Sequence, residues 1–210
     1  MSLIQSYMRG VRRRVDRRTS LPQYNIEAYG AIRATGIDGG TGLWVGTDNS
    51  AAIMATHAAA LANNGSVFIP GGVWVLNASL NWNPSVPLYG ENDSISRLMP
   101  GTGTDGLPVF EFCGIQAGHA TLSNFGIGDI AMAGRPSCAI VFAEIAAHAN
   151  SSSEHAISRI KIDGYYTKAG LALLACASSD FDDIIVHNKY DAAGIPAIVL
   201  DTQGGSGVTS

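Results

Sequence analysis

Aspartates recur beside short apolar segments in the second half of the sequence. Asp163 comes directly after the last apolar residue of such a segment and Asp129 comes two residues after it, so the two could stack on one face. Asp182 and Asp183 lie within a third segment. Enzymes that hydrolyse polysaccharides use pairs of carboxyl groups. Carboxylates about 5 Å apart on stacked strands would also perturb each other's pKa values. Because aspartate after a strand is a common turn residue, the pattern leaves both a catalytic and a structural role open.

Trp82 is the aromatic residue whose neighbours most favour exposure. It lies in the sequence Asn-Trp-Asn-Pro at residues 81–84, which is typical of a turn. An exposed indole could stack on a sugar ring, whereas a buried one would fill the core, and the sequence does not decide between these roles. The candidate glycan contacts are therefore Trp82, Asp129, Asp163, Asp182 and Asp183, and no catalytic residue is assigned.

The sequence predicts no cofactor and no metal site. Its three cysteines, Cys113, Cys138 and Cys176, form no Cys-x-x-Cys pair, and its five histidines match no zinc motif. The odd number of cysteines argues against a disulfide framework and favours buried free thiols.

A loose internal repeat predicts stacked coils. Residues 122–129, 157–163 and 181–188 each place apolar residues at positions 1, 4 and 6, and a second apolar segment follows each of them. Self-similarity at intervals of 20–50 residues is typical of a solenoid, in which one coil cannot bury its apolar face alone. Residues 66–210 have room for roughly six coils of about 24 residues each.

A capping region is predicted at residues 23–65. Residues 25–29 have the pattern of a first strand, and a Gly-rich loop leads to an alanine-rich helix at 48–63. Thr47 or Asp48 could cap its start, and Asn64-Gly65 could supply the left-handed residue that ends it. This helix would cover the first coil.

The YGA motif at 29–31, the Thr-Asp pair at 47–48 and the strand pair at 65–76 resemble the N-terminal region of the pectate-lyase-like superfamily. These proteins are right-handed parallel β-helices, common among phage tailspikes and polysaccharide-degrading enzymes. The resemblance implies a mainly β fold, a right-handed parallel β-helix with an N-terminal capping α-helix. It implies no single activity, since one fold carries many functions.

Residues 1–22 form a basic arm. Six arginines and one aspartate give the first 18 residues a net charge of +5, whereas the whole chain carries −4. Apolar residues recur at helical spacing among the arginines, which favours an anchor helix that docks on a partner. A membrane-surface helix, a nucleic-acid contact and a solvated tail are the alternatives. The predicted anchor residues are Tyr7, Met8, Arg9, Arg12, Arg13, Arg14, Arg17 and Arg18.

These features predict a phage-type tailspike subunit located in the virion. The arm would attach it to other virion proteins and the β-helix would face host surface polysaccharide. The last coil lacks a cap, so a homotrimer is expected. No signal peptide and no membrane-spanning run is present in the sequence, and nucleic-acid binding is not favoured. The alternatives are a polysaccharide depolymerase, either a glycoside hydrolase or a lyase, and a purely structural virion spacer.

Overall fold

A computed structural model describes residues 21–113, 120–143, 155–174, 180–189 and 195–201. The anchor residues predicted between Tyr7 and Arg18 lie outside the described residues. One α-helix, α1, spans Ser50–Ala62. The strands are β1 Gln23–Asn25, β2 Gly36–Ile37, β3 Trp44–Val45, β4 Ser66–Ile69, β5 Gly72–Leu76, β6 Leu80–Asn81, β7 Leu88–Gly90, β8 Ser96–Pro100, β9 Phe110–Cys113, β10 Thr121–Ile127, β11 Cys138–Ala143, β12 Ala156–Gly164, β13 Ala169–Leu174, β14 Asp180–Asn188 and β15 Ile198–Asp201.

Two parallel sheets wind along the molecule as a right-handed parallel β-helix, as predicted. The first sheet runs β1-β4-β7-β10-β12-β14, with β5 and β8 joined to it, and the second runs β6-β9-β11-β13-β15. Every strand pair within these two sheets is parallel. Only the short hairpin of β2 and β3 is antiparallel in the part of the chain that the structure describes.

The predicted repeat is confirmed in its register. Phe125, Ile160 and Ile184 stack in one column across β10, β12 and β14. In a regular strand, positions 1 and 4 of each segment would point to opposite faces, because side chains alternate. Each segment contains one left-handed residue at position 3 that changes this alternation, namely Asn124, Arg159 and Asp183, with φ between 52° and 64°. This extra residue is left out of the strand pairing, so positions 1, 4 and 6 can all be apolar and aligned.

An aromatic column lies inside the coils. Its rings begin with His57 of α1, continue through Trp82, Phe110 and Phe112, and reach Phe142, with centroid separations between 4.4 and 6.1 Å. The exposure predicted for Trp82 is wrong: its side chain is 0% exposed. Its indole Nε1 donates to the Val86 carbonyl at 2.8 Å, so the polar neighbours that suggested exposure form the turn that accepts this hydrogen bond. A buried ring has no free face for a sugar.

The start of α1 is tied to the end of β5. Asp48 Oδ1 accepts from the backbone N–H of Ser50 and of Asn77, both at 2.9 Å. Asp48 therefore stabilises the first turn as predicted, although the residue at the helix boundary is Asn49. The helix ends before Asn64, whose φ is 50°, which confirms the predicted left-handed end.

The first strand lies earlier than the predicted residues 25–29, and only Asn25 of that range belongs to it. Only Gln23–Asn25 pair with β4, and Ile26–Tyr29 form a 3-10 helix. Asn25 Oδ1 accepts from the Glu27 N–H at 2.9 Å, a local bond that competes with the sheet. Gly30, with φ of 92°, then closes the turn. Among the predicted buried thiols, the Cys138 side chain is described and is buried. In the described part of the chain, no helix is long and apolar enough to cross a bilayer.

The position of Ile53 in α1 generates a first prediction. Its side chain is 0% exposed and belongs to the main core, so Ile53→Asp would bury a charge without a partner. We expect the unfolding free energy to fall by about 3–5 kcal/mol, measured by urea denaturation. Ala55→Asp, on the exposed side of the same helix, is the matched control and should cost about 1 kcal/mol or less. Equal effects of the two substitutions would contradict a capping role for this face.

The position of His57 generates a second prediction. Burial lowers the pKa of His57 below its ordinary value, and its Nε2 accepts the Asn83 backbone N–H at 3.0 Å, which requires an unprotonated nitrogen. As the pH falls below about 6.5, the unfolded chain takes up a proton at this residue before the folded chain does. Stability should therefore decrease between about pH 7 and about pH 5, and decrease less in His57→Gln. Parallel pH profiles of the two proteins in chemical denaturation would contradict this.

Candidate functional site

A charged cluster lies on the outer face of the first sheet. Leu98, Ile127 and Ile162 point inward in register on β8, β10 and β12. Because side chains alternate along a strand, the flanking residues point outward. One position earlier on neighbouring strands, an outward row contains Arg97, Gly126, Lys161 and Ile185. One position after Ile162 on β12, Asp163 points outward and pairs with His187 of β14.

Asp163 is the centre of this cluster. Its Oδ2 contacts Arg97 Nη2 at 3.0 Å and Lys161 Nζ at 3.2 Å, and its Oδ1 contacts His187 Nδ1 at 2.8 Å. Arg97 Nη1 also contacts Asp129 Oδ2 at 3.0 Å. We call these five residues, Arg97, Asp129, Lys161, Asp163 and His187, the Asp163 cluster. The prediction that Asp129 and Asp163 lie on one face is confirmed, with Arg97 bound between them.

Two glycines on β10 and just after it make room for these contacts. A Cβ on Gly126 would lie 2.7 Å from the Asp93 carbonyl oxygen and 3.3 Å from Arg97 Nε. The arginine side chain therefore passes over this residue on its way from β8 to Asp163. A Cβ on Gly128 would overlap the Asp163 carbonyl oxygen and lie 2.5 Å from Tyr166 Oη. Gly128 also has φ of 76°, a region that favours glycine.

Tyr166 contacts the main chain of the cluster from the core of the β-helix. Its ring is completely buried, and its hydroxyl lies 3.1 Å from the Asp163 carbonyl and 3.2 Å from the Ile127 carbonyl. Burial raises the pKa of Tyr166 far above its ordinary value, so the phenol remains a neutral donor. It fixes the main chain of β12 at the residue that carries the central carboxylate.

The electrostatics hold Asp163 in its charged form. Burial raises the pKa of Asp163, but the hydrogen bonds from His187, Lys161 and Arg97 and the charge of Lys161 outweigh burial and bring the pKa below its ordinary value. Its side chain is only 11% exposed, whereas His187 is 58% and Lys161 32% exposed. The carboxylate is therefore an internal support, and His187 and Lys161 are the groups that face solvent.

The structure does not bring Asp182 and Asp183 into the cluster. Both are exposed near the start of β14, while His187 lies near its other end. Asp183 is the left-handed residue of its segment, and Asp182 stands in register with Ser158. Asp183 therefore has a structural role in the bend. Within the described ranges, no group of three or more histidine, cysteine or acidic side chains is placed to hold a metal ion.

Sequence reasoning missed Arg97, Lys161 and His187 as members of one site. Lys161 and His187 lie in the repeated segments, at outward positions that the repeat itself defines. Arg97 lies on a coil that the repeat fits poorly, and it reaches Asp163 across another strand. The available signal was the position of Arg97 directly before the apolar Leu98, because neighbouring side chains on a strand point to opposite faces.

Comparison with known proteins supports the fold. No protein-family model matches the sequence, and no curated protein is significantly similar to it. The solved A-module of mannuronan C-5 epimerase AlgE4 from Azotobacter vinelandii aligns with a TM-score of 0.54 and 16% identity, over 79% of this chain and 51% of its own. The A-module of mannuronan C-5 epimerase AlgE6 from the same organism aligns with a TM-score of 0.54 and 18% identity, over 79% of this chain and 44% of its own. This chain thus spans about half of modules that are themselves right-handed parallel β-helices.

Gly128, compared with Gly106 outside the cluster, generates a third prediction. Gly106 and Gly128 have similar left-handed φ values of 71° and 76°, but a Cβ on Gly106 would meet nothing within 4 Å. Gly106→Ala should therefore cost only the backbone strain of about 1–2 kcal/mol. Gly128→Ala should cost clearly more, because Asp163 and Tyr166 must also move. Equal losses of unfolding free energy in denaturant titrations would show that the close approach to Asp163 is unimportant.

Proposed function

We propose that this chain is a tailspike-type virion subunit, acting as a homotrimer, whose β-helix binds an acidic host surface polysaccharide at the Asp163 cluster. Residues 1–22 would attach it to other virion proteins. The observation that carries the proposal is the Asp163 cluster itself, a group of ionic side chains on the outer face of a rigid parallel β-helix. The charge difference between the arm and the rest of the chain supports the attachment role.

The accessible part of the cluster favours an anionic ligand. The two carboxylates are engaged by Arg97, and Asp163 is nearly buried. Lys161 retains donor capacity beyond its contact with Asp163, since an ammonium group has three donors. His187 offers a half-exposed ring beside it. A sugar carboxylate or sulfate bound here would replace water around Lys161 without disturbing the internal ion pairs.

A second candidate function is modification of the polysaccharide, which the 2.8 Å contact between Asp163 and His187 favours. Glycoside hydrolysis needs a carboxylic acid that keeps its proton, whereas the surroundings of Asp163 lower its pKa. The cluster therefore suits base chemistry, as in a lyase, better than hydrolysis. The solved neighbours, named as mannuronan epimerases, are in keeping with an activity on polysaccharide. Release or alteration of saccharide by the purified protein would support this function over binding alone.

Binding at the cluster generates a fourth prediction. A panel of acidic and neutral polysaccharides, including mannuronan and the neutral polymer dextran, is titrated by calorimetry. Binding should be confined to acidic polymers and should weaken as salt is raised. Lys161→Ala should weaken it about tenfold, the equivalent of about 1.4 kcal/mol, which is the size of one hydrogen bond to a charged group.

The matched control is Lys168→Ala, which removes an exposed ammonium group outside the cluster. It should leave the affinity within about twofold of the native value, since a single distant surface charge contributes little. Equal losses in both variants would indicate diffuse attraction and no site. If the native protein binds none of the acidic polymers, the spacer alternative gains support.

Attachment generates a fifth prediction. Deletion of residues 1–18 should leave the β-helix folded but prevent its incorporation into particles, because the arginines and the apolar residues of the arm are removed together. Incorporation is measured by immunoblotting of purified particles. Light scattering of both chains controls for assembly and should give about three times the mass of the respective single chain, which is 21.9 kDa for the full-length protein. Normal incorporation of the truncated chain would contradict the anchor role.

A further inference from the structure

The protonation of His187 follows from its contact with Asp163. An ionised carboxylate can only accept hydrogen bonds, and Asp163 is held in that state by Arg97 and Lys161. The imidazole Nδ1, 2.8 Å from Asp163 Oδ1, must therefore carry the hydrogen. When the ring is neutral, its lone pair lies on Nε2, at the edge of the ring away from Asp163.

The carboxylate that orients His187 is itself held by two further side chains. Arg97 and Lys161 bind its second oxygen, and the Tyr166 hydroxyl lies within hydrogen-bond distance of the Asp163 carbonyl. Asp129 holds Arg97 in turn. Strand pairing places His187 directly opposite Asp163. The ring is thus positioned by a partly buried network, while 58% of its own surface is open to solvent.

This arrangement differs from an ordinary surface ion pair. In an exposed pair both partners are mobile and the contact contributes little. Here one partner is rigid and nearly buried and the other is accessible, which is the arrangement of a proton-transferring histidine and the carboxylate that sets its tautomer. The exposed Lys161 ammonium, bound to the same carboxylate, adds a positive charge next to the ring.

We propose that His187 is the proton-transferring residue of the Asp163 cluster, through Nε2, and that Asp163 is its positioning residue. The substrate is an acidic polysaccharide, so the inference rests on the polysaccharide-modifying function above. The C–H bond next to a sugar carboxylate breaks, its proton passes to Nε2, and its electron pair is delocalised into the carboxylate beside the Lys161 ammonium. A proton from solvent water then adds to the opposite face of the same carbon, which inverts its configuration, and the protonated His187 releases its Nε2 proton to water and becomes neutral again.

The tautomer is tested on the native full-length chain, without any substrate. Nitrogen-15 NMR of the histidine side chains, with the His187 signals assigned by their loss in His187→Gln, should show neutral His187 protonated on Nδ1. Asp163→Ala should shift the population toward the Nε2-protonated form that free histidine prefers. Asp129→Asn, which touches Arg97 but not His187, should retain the native tautomer. A native ring protonated on Nε2 would overturn the positioning role of Asp163.

The transfer step is tested with mannuronan in deuterated water. Native protein should introduce deuterium at the carbon next to the carboxylate, detected by mass spectrometry, and His187→Gln should lower the rate by about 100-fold or more. Lys168→Ala should exchange at the native rate. Exchange that persists in His187→Gln would overturn the role of His187. If mannuronan binds but native protein exchanges no deuterium, the modifying function fails on this polymer, whereas the tautomer result still decides how Asp163 acts on His187.

Discussion

The in-register pairing of β10, β12 and β14 is the constraint on which the other features depend. Parallel strands of one coil cannot bury their apolar residues alone, so each inward column must continue on the next coil. Phe125, Ile160 and Ile184 form one such column. The left-handed residue that precedes each of them lets an odd spacing in the sequence reach the same face. Once this register is fixed, the outward positions are fixed as well.

The Asp163 cluster is a consequence of that register. Lys161 and Asp163 flank the inward Ile162, and His187 lies opposite Asp163 on the next strand. None of these residues had to be brought together by a flexible loop. Sites built on strands hold their side chains more precisely than sites built on loops, which is why the contacts of Asp163 can define both its charge and the orientation of His187.

The sequence predicted the parts that depend on local pattern. The solenoid, the capping helix and the common face of Asp129 and Asp163 follow from the spacing of apolar residues and the behaviour of turn formers. It could not predict contacts made across coils. Arg97 reaches over Gly126 to Asp163, which lies 66 positions later in the chain. No local pattern in the sequence links Arg97 to Asp163. Trp82 was placed wrongly because polar neighbours suggested an exposed turn, whereas the ring fills the column between His57 and Phe110.

The passage of Arg97 over Gly126 also bears on how the coils separate. The guanidinium joins β8 to β12 while β10 lies between them. A solenoid without such links could open one coil at a time, since each coil contacts only its neighbours. Here β10 cannot leave without breaking the ion pair that spans it. The three coils therefore form one cooperative unit in local unfolding, and their amide protons should exchange with solvent through a shared opening.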